Sequence, residues 1–277
     1  MPLIEVAGVS NINLVRAGPG GAPPIVFVHP VGLDLTWWSE QVEEFGRDHD
    51  VVAFDMPDHG LSGKLEGRPS FELLSRALEG VLTHIDAGPA HIVGVSVGGM
   101  IAQTFALRRP DLVRSLSLVA TLCTFPEEAR RALRERARVS RAKGMARIAD
   151  LSNERWFPAA FRARRPDMLD RATKSLLSQD PDFHASMWEM IARLDLEAKL
   201  PAITCPTLVV AGEYDVNAPV AAAQRMTSLI PGASLEVMAG TGHFPPFEAP
   251  VRFNALLGRH LSETEALRNR LWREQGL

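Results

Sequence analysis

The chain is poor in cysteine, in tyrosine and in long apolar runs. Two cysteines and one tyrosine occur in 277 residues. Cys123 and Cys205 lie far apart and match neither a disulfide framework nor a metal-ligand spacing, so no metal is expected on them. No run approaches the roughly 20 apolar residues that cross a bilayer, so no membrane partner is expected. The opening M-P-L-I-E-V-A-G has neither a basic stretch nor a long apolar one. That is unlike a secretory signal, and the expectation is a cytoplasmic protein with reduced thiols. A net charge of −3 argues against nucleic acid as the main partner. What is present is a hydrophobic content of 46%, enough for one large core with a small insertion.

Short Val/Ile/Leu-rich runs alternate with longer helix-like segments. This predicts a mostly parallel α/β sheet whose strands are buried on both faces. Strands are expected at 13–16, 25–29, 51–55, 90–95, 115–120, 207–211 and 234–237. Helices are expected at 38–45, 71–85, 98–108 and 219–230, with Pro57, Pro89, Pro110, Pro206 and Pro231 at the breaks. The alternation stops after Ala120. About 80 residues follow with helical patterns only, at 127–143, 167–178 and 183–194, before C-P-T-L-V-V-A-G resumes the sheet. The organisation expected is a core of residues 1–120 and 201–277 with a helical cap of residues 121–200. The cap stretch holds 13 Arg and 3 Lys against 12 acids, a net +4, and the remainder of the chain carries −7. Such a surface is either solvated or attractive to an anionic substrate. A last helix, 263–275, presents Leu267, Leu271 and Trp272 to the core or to a second subunit, which would make a homo-oligomer.

The stretch H-I-V-G-V-S-V-G-G-M centres on Ser96. A buried strand enters it and a helix leaves it, the context in which G-x-S-x-G carries a nucleophile on a strained turn. Serine needs a base within hydrogen-bond reach. Among eight histidines, His243 stands out in A-G-T-G-H-F-P-P-F-E, just after the last strand. An acid that orients the imidazole is expected after the strand at 207–211, where Asp215 is preferred and Glu213 is the alternative. The order Ser96, Asp215, His243 is a nucleophile–acid–base order. An oxyanion needs two amides. Val97 at a helix start supplies one, and Val31 supplies the other because Pro30 has no N–H. His29 reads as structural.

These residues resemble the α/β-hydrolase superfamily over nearly the whole chain. H-P-V-G at His29 is similar to its H-G-x-G region, with Pro30 where Gly is commoner. D-M-P-D-H-G-L-S at Asp55 is similar to its D-x-x-G-H-G-x-S turn, with Asp58 in place of a Gly, and G-V-S-V-G-G matches its nucleophile elbow. Within the superfamily the chain looks most like the 3-oxoadipate enol-lactonases, in A-L-R-R-P-D-L-V-R-S-L-S-L, E-R-W-F-P-A-A-F and A-K-L-P-A-I-T-C-P-T-L-V-V-A-G. The resemblance implies a cofactor-free serine hydrolase of a lactone or ester bearing a carboxylate. Alternatives are a carbon–carbon bond hydrolase of ring-cleavage products, a small ester or amide hydrolase, a cofactor-free dioxygenase and a ligand-binding receptor. Ser96 at the elbow disfavours dehalogenase or epoxide chemistry, which needs an aspartate there. Trp37, Trp38, Leu122, Cys123, Trp156 and Trp188 are expected around a small-molecule pocket. Arg134, Arg138 or Arg155 is expected to meet the carboxylate.

Overall fold

The computed structural model describes residues 3–6, 9–20, 23–86 and 88–274. Eight strands form one sheet: β1 (Leu3–Val6), β2 (Val9–Ala17), β3 (Ile25–Val28), β4 (Val51–Phe54), β5 (Ala90–Val95), β6 (Val113–Val119), β7 (Thr207–Gly212) and β8 (Ser234–Met238). Their order is β1-β2-β4-β3-β5-β6-β7-β8. β1 and β2 are antiparallel additions at one edge, and from β4 to β8 every pairing is parallel.

The central strands read as continuous apolar runs because both faces are covered. Alternate residues feed different cores, as the two-residue period of a strand requires. Val26, Val28, Ile92, Leu116 and Val209 belong to one cluster, while Ile25, Phe27, Val93 and Val210 belong to the other. Helices α1 (Ser39–Phe45), α2 (Phe71–His84) and α3 (Val97–Arg108) connect the first strands. α2 starts where the Ser70 side chain accepts from the Leu73 amide, and its apolar stripe, Leu74, Leu78 and Val81, lies in the first cluster.

Between β6 and β7 come the helices α4 (Glu127–Trp156), α5 (Ala159–Arg164), α6 (Pro166–Leu177) and α7 (Pro181–Ile191), with one isolated antiparallel bridge between Thr124 and Asp195. α4 runs past the expected end at 143 but turns at Gly144, whose φ of 70° and ψ of −178° leave the helical region. Glycine occupies such a conformation without the Cβ penalty that other residues carry. Three helices complete the chain: α8 (Val220–Leu229), α9 (Pro245–Glu248) and α10 (Pro250–Glu274).

The ends of the chain differ from expectation. β1 was not anticipated, because four residues of which Glu5 points to solvent give little pattern to read. The last helix begins at Pro250 rather than 263, since Phe253, Leu257 and Leu261 form an i, i+4 stripe that docks on the core. That stripe stops near Thr264. Leu267, Leu271 and Trp272 stay 38%, 47% and 61% exposed and do not dock on the core. Gln275, the expected end of this helix, lies outside the described residues.

Candidate active site

Four loops leave the carboxyl ends of β3, β5, β7 and β8 and meet above the sheet. The loop after β5 holds Ser96 at φ 56° and ψ −118°, a left-handed conformation that a non-glycine residue adopts only under constraint. The constraint is visible on both sides. A Cβ on Gly94 would stand 2.4 Å from the Gly98 carbonyl, and one on Gly98 would stand 2.3 Å from the Val28 oxygen. Only glycine permits the strand and helix to approach so closely. The Ser96 amide donates to the Val119 oxygen at 2.9 Å, and the Thr121 hydroxyl donates to the Ser96 oxygen at 2.6 Å.

His243 leaves β8 on a loop whose backbone is held from two directions. Its amide donates to the Trp156 oxygen at 2.8 Å, the last residue of α4. The Gly242 and Phe244 amides on either side each donate to one oxygen of Glu248 at 2.9 Å. Burial pushes that carboxyl up to about 7, against the two amides and His243, which pull it down. The imidazole Nδ1 lies 2.8 Å from Asp215 Oδ2 and Nε2 lies 3.1 Å from Ser96 Oγ. A carboxylate only accepts, so Nδ1 carries the proton and the Nε2 lone pair faces the serine hydroxyl. Asp215 is itself fixed, its Oδ1 accepting from the Asn217 and Ala218 amides at 2.8 and 3.1 Å. Glu213, the alternative acid, instead accepts from the Gly240 amide at 2.8 Å, in the turn after β8.

The loop after β3 is built on two neutral histidines. His29 Nε2 accepts from the Met56 amide at 2.9 Å, leaving Nδ1 to donate to the Pro30 oxygen. His59 Nε2 accepts from the Gly32 amide at 3.2 Å. Burial pushes their pKa values down to about 4 and about 3. The buried carboxylate of Asp55 accepts from Asn13, Leu35 and Leu61, tying this loop to the neighbouring one. Asp58, the departure from the glycine pattern, takes a φ of 58° and accepts from the Leu65 amide at 2.7 Å, so a short polar side chain serves there. Among the described residues, the Val31 and Val97 amides donate to no protein acceptor.

A cavity of about 490 Å³ opens over Ser96 and His243. Val31, Met100, Leu122, Trp156, Trp188, Ile191 and Phe244 give it mostly apolar walls. Leu122, Trp156 and Trp188, expected at a pocket, line this cavity. Trp37, Trp38 and Cys123 do not line it. Trp38 stacks on Phe27 at 4.6 Å within the core, and Trp37 lies under Arg171 with its indole N–H donating to Ser175. The turn that carries them is capped by Asp34, and both rings pack against Phe247. Cys123 is buried in the core, its thiol pushed up to about 11 by burial. Arg134 and Arg138 pair with Glu127 and Glu135 on the exposed side of α4. Arg155 does reach the rim, where its Nε donates to Asn217 Oδ1 at 3.0 Å.

Arg136, His184, Asn217 and Glu248 were not singled out by the sequence. Arg136 is one of 13 arginines in the insertion, and nothing local marks it. Glu248 had a weak signal, an acid five residues beyond His243 in an apolar loop.

Known proteins fit this geometry. A sequence profile of the α/β hydrolase fold matches residues 23–250. The 3-oxoadipate enol-lactonase 2 of Acinetobacter baylyi is 27% identical over 243 residues, covering 88% of this chain and 90% of that protein. The crystal structure of the enol-lactonase from Burkholderia xenovorans LB400 superposes with a TM-score of 0.88 at 27% identity, covering 94% of this chain and all of that one. Est816, described as an N-acyl homoserine lactone degrading enzyme, superposes at 0.81 with 29% identity, covering 92% of this chain and 98% of that one. With the profile spanning most of the chain and these relatives being hydrolases, the chain belongs to the α/β hydrolase fold family and is a hydrolytic enzyme.

Proposed function

We propose that this enzyme cleaves a lactone or carboxylic ester of a small molecule through a serine acyl-enzyme. The observation that carries this reading is the unbroken chain from Ser96 Oγ through His243 to Asp215, at 3.1 and 2.8 Å. The enol-lactonases of A. baylyi and B. xenovorans support a lactone as the substrate class.

Ser96 Oγ attacks the carbonyl carbon while His243 Nε2 takes its proton. Asp215 holds the imidazole tautomer and stabilises the imidazolium. The carbonyl oxygen gathers negative charge between the Val31 and Val97 amides, each worth about 3–4 kcal/mol in the transition state. Collapse expels the alkoxide or enolate, which takes the proton from His243. In a lactone the leaving oxygen stays tethered to the acyl group. Water then attacks the acyl-enzyme, gives its proton to His243, and Ser96 leaves with that proton. Residues 121–200 act as a cap on a core of residues 1–120 and 201–277. The Trp156 oxygen, at the end of α4, ties this cap to the His243 loop.

The test is labelling by a fluorophosphonate beside hydrolysis of 3-oxoadipate enol-lactone and 4-nitrophenyl acetate. Stoichiometric labelling at Ser96 and its loss in Ser96→Ala are expected. Hydrolysis persisting in that variant, with circular dichroism unchanged, would remove Ser96 as nucleophile.

A further inference from the structure

Arg136 lines the cavity and, among the described residues, has no acidic partner. Arg136 and Arg155 are the cationic side chains among the described lining residues, and no carboxylate lines the cavity. Arg134 and Arg138 of α4 have acidic partners and Arg155 meets the Asn217 amide oxygen, whereas the neighbour of Arg136 is a hydroxyl: Nη2 donates to Ser152 Oγ. Its Nε is out of reach of solvent and has no acceptor. A guanidinium has five donors in a fixed fork, and burying it without an anion is costly. Burial and the nearby Arg155 push its pKa down to about 10, so it keeps its charge at neutral pH.

A chain of neutral hydrogen bonds holds the group in this position. The guanidinium carbon stands 4.6 Å over the Trp188 ring. The Trp188 indole N–H donates to His184 Nε2 at 3.1 Å. An indole only donates, so His184 carries its proton on Nδ1 and donates it in a hydrogen bond to Ser140 Oγ at 3.0 Å. The Ser140 hydroxyl donates in turn to the Arg136 carbonyl at 3.1 Å. Burial and the Arg136 charge keep His184 neutral, with its pKa down to about 3. On the other side, the Ser152 hydroxyl donates to the Ile148 oxygen at 2.6 Å, which turns its lone pairs to Arg136. Arg136 and Ser152 are 16 residues apart on α4. A straight helix would separate them by about 24 Å. The turn at Gly144 is what brings them together.

We propose that Arg136 is the anion-recognition group of this pocket, oriented by Trp188, His184, Ser140 and Ser152, and that the substrate is a lactone or ester carrying a free carboxylate beyond the scissile bond. This rests on the serine-hydrolase reading of the same site and on the carboxylate that the resemblance implies, and it assigns the residue that meets it, Arg136 in place of Arg134, Arg138 or Arg155. It also distinguishes this pocket from one built for a neutral lactone, in which an unpaired buried cation would be a liability.

The experiment compares the monomethyl esters of succinate, glutarate, adipate and pimelate with methyl esters of the unsubstituted acids of the same length, by pH-stat. The wild-type enzyme is expected to prefer at least one monoanion over its neutral counterpart. Arg136→Gln should cut that ratio of kcat/KM about 10–100-fold, the worth of a charge-assisted hydrogen-bonded pair. Arg136→Lys, which keeps charge but loses the fork, should retain part of it. Trp188→Phe keeps a ring face and loses the N–H, and should raise KM for the monoanion more than it lowers kcat. Neutral esters cleaved with no preference for any monoanion would overturn the anion site and leave the hydrolase reading standing. If no ester is cleaved and Ser96 escapes fluorophosphonate, the hydrolase reading fails instead. Calorimetry of adipate binding to wild type and Arg136→Gln then decides the anion site without chemistry. Binding lost in the variant supports it, and equal or absent binding overturns it.

Discussion

The strand-end loops and the helical insertion make the same pocket by different means. In the first, every group is fixed by backbone: Ser96 by the elbow between β5 and α3, Asp215 by two amides, His243 by the Trp156 oxygen and the paired grip of Glu248. In the second, position comes from side chains leaning on side chains, with Arg136 held by Trp188, His184 and Ser152. The groups proposed to make and break bonds need placement within fractions of an ångström, which the sheet supplies. Recognition of a remote group tolerates more variation, so it can be built on helices whose arrangement depends on one turn at Gly144.

The comparison breaks most sharply at the serine. Ser96→Ala is expected to lower kcat by about 10⁴–10⁶-fold on every ester, charged or neutral, in steady-state assays. Asp215→Asn should follow at about 10³–10⁴-fold, because the amide favours the wrong imidazole tautomer. A fall that differs between anionic and neutral esters in either variant would contradict the division of labour.

Glu248 separates placement from chemistry. Glu248→Ala leaves two amides beside His243 without their acceptor. It should cost about 1–3 kcal/mol of stability and lower kcat more than it changes KM, read by urea denaturation and kinetics. The pH dependence follows from the direction of the shift. A carboxyl raised to about 7 in the folded state contributes stability that is complete below the unfolded value of about 4.5 and fades as pH rises through 7. Glu248→Gln should flatten the urea midpoint on that side. An unchanged slope between pH 5 and about 8 would show that Glu248 does not titrate there.

The buried histidines act on the acid side in both regions. His29, His59 and His184 are lowered to about 4, 3 and 3, while unfolded imidazoles take a proton near 6.5. Their contribution is complete above about 6.5 and is lost as pH falls toward 4. The urea midpoint should drop steadily across that window, and a constant midpoint would mean these rings are not neutral when folded. The smallest effect is expected at the turn. Gly144→Ala puts a Cβ at φ 70° and should cost about 1–2 kcal/mol, with a greater loss on monoanionic than on neutral esters. Equal losses on both would separate the turn from the anion site.

Much of this was legible before folding. Val/Ile/Leu runs with proline breaks located six of the eight strands closely; five are parallel strands whose two buried faces leave an apolar signature, and the sixth, β8, is a partly exposed edge strand. Ser96, Asp215 and His243 stood out because each follows such a run in a small-residue or glycine-rich loop. The pocket walls were legible only in part. Leu122, Trp156 and Trp188 do line the cavity, while Trp37 and Trp38 face the core, since an aromatic pair after a loop reads the same whichever way its turn rotates.

The order of elements, the strained turn at Ser96 and the residues able to share a proton follow from local sequence, where strand ends and glycines restrict the backbone to few conformations. Which of 13 arginines in the insertion enters the pocket does not. That choice was made by contacts between residues far apart in the chain, Arg136 with Ser152 and His184 with Ser140, and by a single glycine that lets α4 turn back on itself.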